Sequence, residues 1–240
     1  MRDIIIKTSG LTKDYGKKRG VFDIDLEVHK GEVFGFVGTK MCIRDSYFPE
    51  LDCDCVVINN IYGAKKAVQH LIEKGHTRIG YLRSSVEIRN FRERFEGYSK
   101  GIRLLPHPEE SRPFIVRISP VAEEAAGDMD AYLAKKPQLP SAFFADNDNI
   151  ASSCMVSLKK AGYRIPEDVS IIGFDNLPVC KVMEPALSTM SVAKEQLGAY
   201  AVDFLIRRID GSADSPLKIE IKPQLVERDS VKQMSPTGAE

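Results

Sequence analysis

Two hydrophobic periods alternate along this chain. Short, nearly continuous apolar runs are separated by longer stretches in which apolar positions return every third or fourth residue, a pattern that predicts strands alternating with helices. Val56 to Ile58, Ile79 to Leu82, Phe114 to Val116, Ala142 to Ala145 and Ser170 to Gly173 read as strands. Between them Ala64, Ala67, Val68, Leu71 and Ile72 mark one helix that Gly75 ends, and Phe91, Phe95, Tyr98 and Ile102 mark a second. Val121 to Leu133 forms a third, with acidic residues in its first turn, where the helix dipole favours them. A fourth begins after Asn149 and carries Ile150, Met155 and Leu158. The last, Glu195 to Ile209, is expected to turn Leu197, Ala201, Phe204, Leu205 and Ile209 inward, and the polar tail after Arg228 to fray. Strands and helices in this alternation predict an open α/β sheet with crossover helices.

In such sheets ligands lie outside the carboxyl ends of the strands, where loops and helix amino ends converge. Three polar clusters fall there: Asn59-Asn60, Asp146 to Asn149, and Asp175-Asn176. Carboxylates and amides accept and donate hydrogen bonds, so these clusters suit a ligand bearing hydroxyls. Each also has a plainer reading. Asp175 could end its strand through a local turn, Asp148 could cap the next helix, Asn147 could form a turn, and Arg94 could be a solvated helical arginine. Phe143, Phe144 and Phe174 are assigned to the core.

Composition narrows the class. The 240 residues carry 34 basic and 34 acidic side chains, a balance without the long-range field that draws nucleic acid. No apolar stretch is long enough to span a bilayer and no secretory signal core is present, so the expected compartment is the cytoplasm. Five cysteines suit reduced thiols. Cys53 and Cys55 would share one side of an extended segment, but no second pair follows, and Cys154 and Cys180 stand alone; no metal site is expected. His70 and His76 do not fall on one helical face, and His76 is expected to fix a turn. Ser152 and Ser153 have an ordinary helical context. With no nucleophile and base in sight, neither catalysis nor a cofactor is expected.

The wording of the middle and end is specific. Gly63-Ala64 through His70-Leu-Ile-Glu-Lys-Gly-His76, Ile79-Gly-Tyr-Leu82, Arg94-Phe-Glu-Gly-Tyr98, Phe144-Ala-Asp-Asn-Asp148, Ile165-Pro-Glu-Asp-Val-Ser-Ile-Ile-Gly-Phe-Asp-Asn176 and Pro185-Ala-Leu-Ser-Thr189 follow one another as they do in LacI-type transcriptional regulators. The resemblance spans residues 47–228. It implies a sensor of the periplasmic-binding-protein-like type, in which two α/β subdomains close on a sugar, nucleobase or related metabolite. By motif position Arg94 would reach ligand hydroxyls or a carbonyl, Asn147 would supply an amide contact and Asp175 would accept paired hydroxyls. Asn59 stands where many relatives carry Asp, at the crossover between subdomains, and Asn90 precedes the arginine in a loop. The parent family is homodimeric and begins with a helix-turn-helix DNA-binding domain, which is not recognisable here. The second subdomain thus reads as nearly complete and the first as truncated.

The amino-terminal part resembles something else. Gly10-Leu-Thr-Lys-Asp-Tyr-Gly16 and Val33-Phe-Gly-Phe-Val-Gly38 are similar to the start of the ATP-binding subunit of an ABC transporter. A phosphate loop needs a second glycine, a lysine and a hydroxyl after four residues, and Gly38 is followed by Thr39-Lys40-Met41-Cys42 instead. Met41 to Ser46 resembles a translated sequencing adapter. The chain therefore divides into a short β-rich ABC-ATPase-like fragment at 1–39, a junction at 40–46, and the sensor at 47–240, in the manner of a chimera. The alternatives are a truncated ABC ATPase, for which the later motifs are missing, and an extracytoplasmic sugar-binding protein of the same fold.

Overall fold

The computed structural model describes residues 4–14, 20–29, 54–106, 113–210 and 215–234. The apolar runs do become strands: β3 (Cys55–Ile58), β4 (Ile79–Ser84), β5 (Phe114–Ile118), β6 (Ala142–Ala145) and β7 (Ser170–Phe174). The periodic stretches become α1 (Asn60–Glu73), α2 (Arg89–Ile102), α3 (Ala122–Leu133), α4 (Asp148–Lys160) and α6 (Lys194–Ile209). Four elements were not anticipated: the short α5 (Val179–Val182) and strands β8 (Ser188–Ser191), β9 (Lys218–Ile221) and β10 (Gln224–Val226). They are too short and too polar to show a period. At the amino end β1 (Ile4–Asp14) and β2 (Gly20–His29) form an antiparallel hairpin.

One sheet runs β10-β8-β7-β6-β4-β5, parallel except where β10 meets β8. Its central strands are buried on both faces, which is why β6 and β7 read as unbroken apolar runs. Alternate residues serve opposite layers. Tyr81, Phe144, Ile172 and Phe174 pack with α1 and α2, whereas Leu82, Phe143, Ala145 and Ile171 pack with α3 and α4. From β4 the chain moves to β5 on one side and then returns past β4 to β6 on the other. This reversal makes the carboxyl ends of β4 and β6 a topological switch point.

A second, parallel pair joins β3 to β9, with α6 against β3. Three segments connect this layer to the large sheet: β3 leads directly into α1, β8 leads through Val192-Ala193 into α6, and β9 leads through Lys222-Pro223 into β10. On α6, Phe204 is buried and Leu197 half-buried, but Ala201 is exposed, contrary to expectation, as are Tyr200, Val202 and Ile206. Leu205 and Ile209 have side chains outside the described residues, as do Cys53, the stretch Val33 to Gly38 and the junction 40–46.

Residues 229–234 are not frayed. Asp229 donates its N–H to Ala186, Ser230 is buried and bonds Ile171 and Ser188, and the Met234 N–H reaches the Lys74 carbonyl. Polar composition misled here because the polar atoms pair with the ends of strands and α1.

Helices α1 and α2 pack closely because α2 presents Gly97 and Gly101 one turn apart. A Cβ at Gly101 would stand 2.6 Å from Val68 Cβ, and one at Gly97 would stand 2.7 Å from Ala64 Cβ and collide with the Ile61 carbonyl oxygen. The carbonyl cannot move without unwinding α1. Gly97→Ala is therefore expected to lower unfolding stability by about 2–3 kcal/mol despite its better helix propensity. Urea denaturation checks this, and a neutral or stabilising result would refute the close packing.

Candidate functional site

Arg94 is the centre of the site. It lies in α2 and is only 2 % exposed, so it is not a solvated surface arginine. Its Nε donates to Asn60 Oδ1 at 2.9 Å, one Nη to the Asp146 carbonyl at 2.5 Å and the other to Asp175 Oδ1 at 3.1 Å. These contacts tie α2 to the start of α1 and to the exits of β6 and β7, and they use three of the five guanidinium N–H groups. The guanidinium carbon lies 3.8 Å from the Phe174 ring centroid. Phe174 is a core residue as expected, and it is also the face on which Arg94 stacks, an interaction worth about 2 kcal/mol when desolvated.

Three aspartates surround this arginine in different ways. Burial pushes the Asp175 carboxyl above its usual range, while Arg94 and Lys194 pull it down. Asp146 is fully buried, accepts from Tyr81 Oη and from the Ser84 N–H at 2.6 Å, and is pushed up to about 6 by burial. It thus fastens the carboxyl ends of β4 and β6 together at the switch point. Asp148 does not cap α4, as one reading had it. It is buried, accepts from Thr189 Oγ1 at 2.6 Å and the Leu177 N–H at 2.8 Å, and is likewise pushed up to about 6 by burial. The cap is Asn147, whose Oδ1 accepts from the Ile150 N–H at 2.9 Å.

Asn59 and Asn90 belong to a neighbouring cavity of about 140 Å³. Its walls are Val57 to Ile61 at the β3–α1 junction, Arg89, Asn90 and Glu93 of α2, and Lys218 and Glu220 of β9. Asn59 caps α1 through the Tyr62 N–H and donates to Glu220 Oε2 at 2.8 Å, so it spans both layers. Asn90 is not in a loop: α2 begins at Arg89, and Asn90 sits in its first turn. Asn60 links the two halves of the site, accepting from Arg94 and donating to Glu93 Oε2 at 3.0 Å. The chain thus brings Arg94 and Asp175 into contact and places Asn59 and Asn90 on one cavity, whose lining includes none of Arg94, Asp175 and Asn147, the last sitting at a helix start.

Sequence reasoning passed over Asn60, Glu93, Lys218 and Glu220. Asn60 stood inside a flagged cluster and its burial was the missing signal; Glu220 is 161 residues from Asn59, and nothing local points to it. Among the described residues no group of three or more histidine, cysteine or acidic side chains is placed to hold a metal. Cys154 and Cys180 are buried, with the Cys180 thiol pushed up to about 12, and Cys55 is half-buried. No helix among the described residues is long and apolar enough to cross a membrane.

A mostly parallel sheet flanked by helices, a second layer joined through three crossings, and a buried arginine at the switch point define a ligand-binding α/β domain. Residues 68–231 match the family described as the periplasmic binding protein-like domain, and this chain belongs to it, in the form found in LacI-type effector-binding domains. It is 32 % identical over 207 residues to the HTH-type transcriptional repressor PurR of Haemophilus influenzae, covering 83 % of this chain and 59 % of that protein. The PurR of Escherichia coli is 33 % identical over 180 residues, with 74 % and 52 % covered. The chain therefore spans between about half and three fifths of these relatives' length.

Among solved structures, the regulator CelR in complex with cellobiose superposes with a TM-score of 0.68 at 26 % identity, covering 78 % of this chain and 57 % of that one. A LacI family regulator of Enterococcus faecium with bound ribose gives 0.67 at 25 % identity, covering 76 % and 66 %. These relatives are named as transcriptional regulators and repressors.

Proposed function

We propose that this chain is the effector-sensing part of a LacI-type transcriptional regulator and that it binds a sugar-like metabolite between the β3–β9 layer and the strand ends of the large sheet. The observation that carries this reading is Arg94, buried and joined at once to Asn60, Asp146 and Asp175. A preorganised donor beside a carboxylate acceptor is what a ligand with adjacent hydroxyls requires. Arg94 and Asp175 are the primary contacts, Asn59 and Asn90 line the approach, and Asn147 acts mainly by fixing α4. The cavity is smaller than the roughly 300 Å³ at which drug-sized sites begin, which favours a monosaccharide-sized molecule. Cellobiose and ribose in the related structures support the same ligand class.

In the parent protein, operator binding would fall to a helix-turn-helix domain ahead of the sensor, and ligand would act by favouring one arrangement of the two layers. On this reading the protein works in the cytoplasm. In this reading residues 47–240 are the sensor with its first subdomain reduced. The short β3–β9 pair and the apolar side chains exposed on α6 favour that view. Residues 1–39 are a foreign ABC-ATPase-like fragment joined at 40–46; the β1–β2 hairpin, which pairs only with itself among the described strands, is consistent with a separate origin. Sequencing the source DNA in long reads through codons 30–60 tests the chimera, and an unbroken reading sinks it.

Binding is tested by calorimetry against ribose, cellobiose, other monosaccharides and nucleobases, with folding monitored by circular dichroism. At least one sugar is expected to bind, and Asp175→Asn to weaken it by about 10- to 100-fold. A folded protein that binds none of the panel, or whose affinity ignores Asp175, would overturn the assignment.

A further inference from the structure

Asp175 and Asn176 form the exit of β7 with φ values of 103° and 50°, two successive non-glycine residues on the left-handed side. Backbone of this kind persists only where its surroundings over-determine it. The surroundings here are specific. The Asp175 N–H bonds the Met190 carbonyl at 2.9 Å, Asn176 Nδ2 donates to Ser191 Oγ at 3.1 Å, and Asp148 accepts from the Leu177 N–H on the far side. Asn176 Oδ1 accepts from Arg228 at 2.8 Å. The other Nη of Arg228 donates to the Leu187 carbonyl at 2.6 Å, and its backbone N–H to Ser188 Oγ at 2.9 Å.

From this geometry we infer that Arg228 is a positioning residue for the ligand carboxylate: through Asn176 it holds the strained turn in the one conformation that presents Asp175 to Arg94. The planar fork matters because two of its nitrogens must reach acceptors 11 residues apart, Leu187 and Asn176, along fixed directions; lysine offers a single point charge and cannot do both. Arg228 also follows β10, the strand that re-enters the large sheet from the β3–β9 layer. The turn bearing Asp175 is thereby tied to the crossing between layers, the part of the fold that must move if ligand binding alters their arrangement.

The assignment of Asp175 as a ligand group rests on the function proposed above, so the test has a ligand-free arm. In that arm, the exchange of the Arg94 Nε–H and the Asp175 amide is followed by NMR in wild type, Arg228→Lys and Asn176→Gly. Asn176→Gly relieves the left-handed conformation while deleting the acceptor. Both variants are expected to speed exchange at these two sites by about tenfold, with amides of α3 unchanged and with the double variant no worse than Asn176→Gly alone. Unchanged exchange at Arg94 and Asp175 in both variants would overturn the inference, as would loss spread evenly over the domain. In the ligand arm, the affinity for ribose and cellobiose is compared. Weakened binding at unaltered melting temperature supports the positioning role, and equal affinity in all three proteins contradicts it. Failure of the wild type to bind either sugar counts against the sugar reading and leaves the exchange arm to decide the role of Arg228.

Discussion

Replacing Arg94 by Met is expected to lower stability by about 3–5 kcal/mol and to abolish ligand binding. The substitution keeps the side chain's length and apolar stem but leaves the Asp175 carboxylate buried without its cation, the Asn60 amide oxygen without its donor and the Asp146 carbonyl without a partner. Breaking one side of a buried pair is costly because the remaining charge cannot return to water. The structure sets the sign of two further results. Asp175→Asn in the Arg94→Met background removes the stranded charge, so the double variant is expected to be more stable than Arg94→Met alone. The Arg94→Met loss should also be smaller at pH 5 than at pH 8. Burial already raises the Asp175 carboxyl and Arg94 opposes it; without Arg94 it rises further, and the penalty is relieved as it takes up a proton. Urea denaturation at both pH values checks this. A single variant within about 1 kcal/mol of wild type, or a double variant less stable than the single, would mean that water reaches the site and screens it.

The second large effect is acid sensitivity through His76. This side chain is 1 % exposed, its Nδ1 lies 3.0 Å from Ser141 Oγ, and its Nε2 has no partner among the described residues. Burial lowers it from 6.5 to about 4, opposed by a polar interaction with the Lys232 backbone and aided by the nearby charge of Lys232 and by His70, which is itself lowered by burial. The folded value lies below the unfolded one, so the unfolded chain binds more protons between them. The stability that neutral His76 contributes is complete above about pH 6.5 and is lost as pH falls towards 4. At about 1.4 kcal/mol per pH unit, the wild type should lose about 3 kcal/mol more than His76→Gln across this interval. The comparison between variants is needed because Asp146 and Asp148, raised to about 6, act in the opposite direction and are common to both proteins. Parallel pH curves for the two would show that His76 is solvated in the native state.

These two residues show how far the sequence could be read. His76 was expected to fix the turn after α1, and its N–H does close that helix on the Leu71 carbonyl. Its burial against Ser141, 65 residues away, had no local signal. Arg94 and Asp175 were picked out through a family resemblance, and each retained a plainer reading until they were seen 3.1 Å apart and buried. The cap expected of Asp148 falls to Asn147, because both residue types suit a helix start and only the position of Thr189 and Leu177 draws the aspartate inward.

The sequence by itself determined the alternation of strands and helices, the core placement of Phe143, Phe144 and Phe174, the carboxyl end of α1, the span of α3, and the location of polar clusters at strand exits. These follow from periods of two and about 3.6 residues, from helix dipoles and from turn formers, all of which act over a few neighbours. The tertiary structure alone decided the strand order with its reversal at β4, the pairing of β3 with β9 across the intervening residues 59–217, and the convergence of Arg94, Asn60, Asp146 and Asp175. It also decided that residues 229–234 are packed and that Arg228 is bonded to Asn176. Such contacts depend on desolvation and on directional hydrogen bonds between distant segments, and neither exists until the chain has folded.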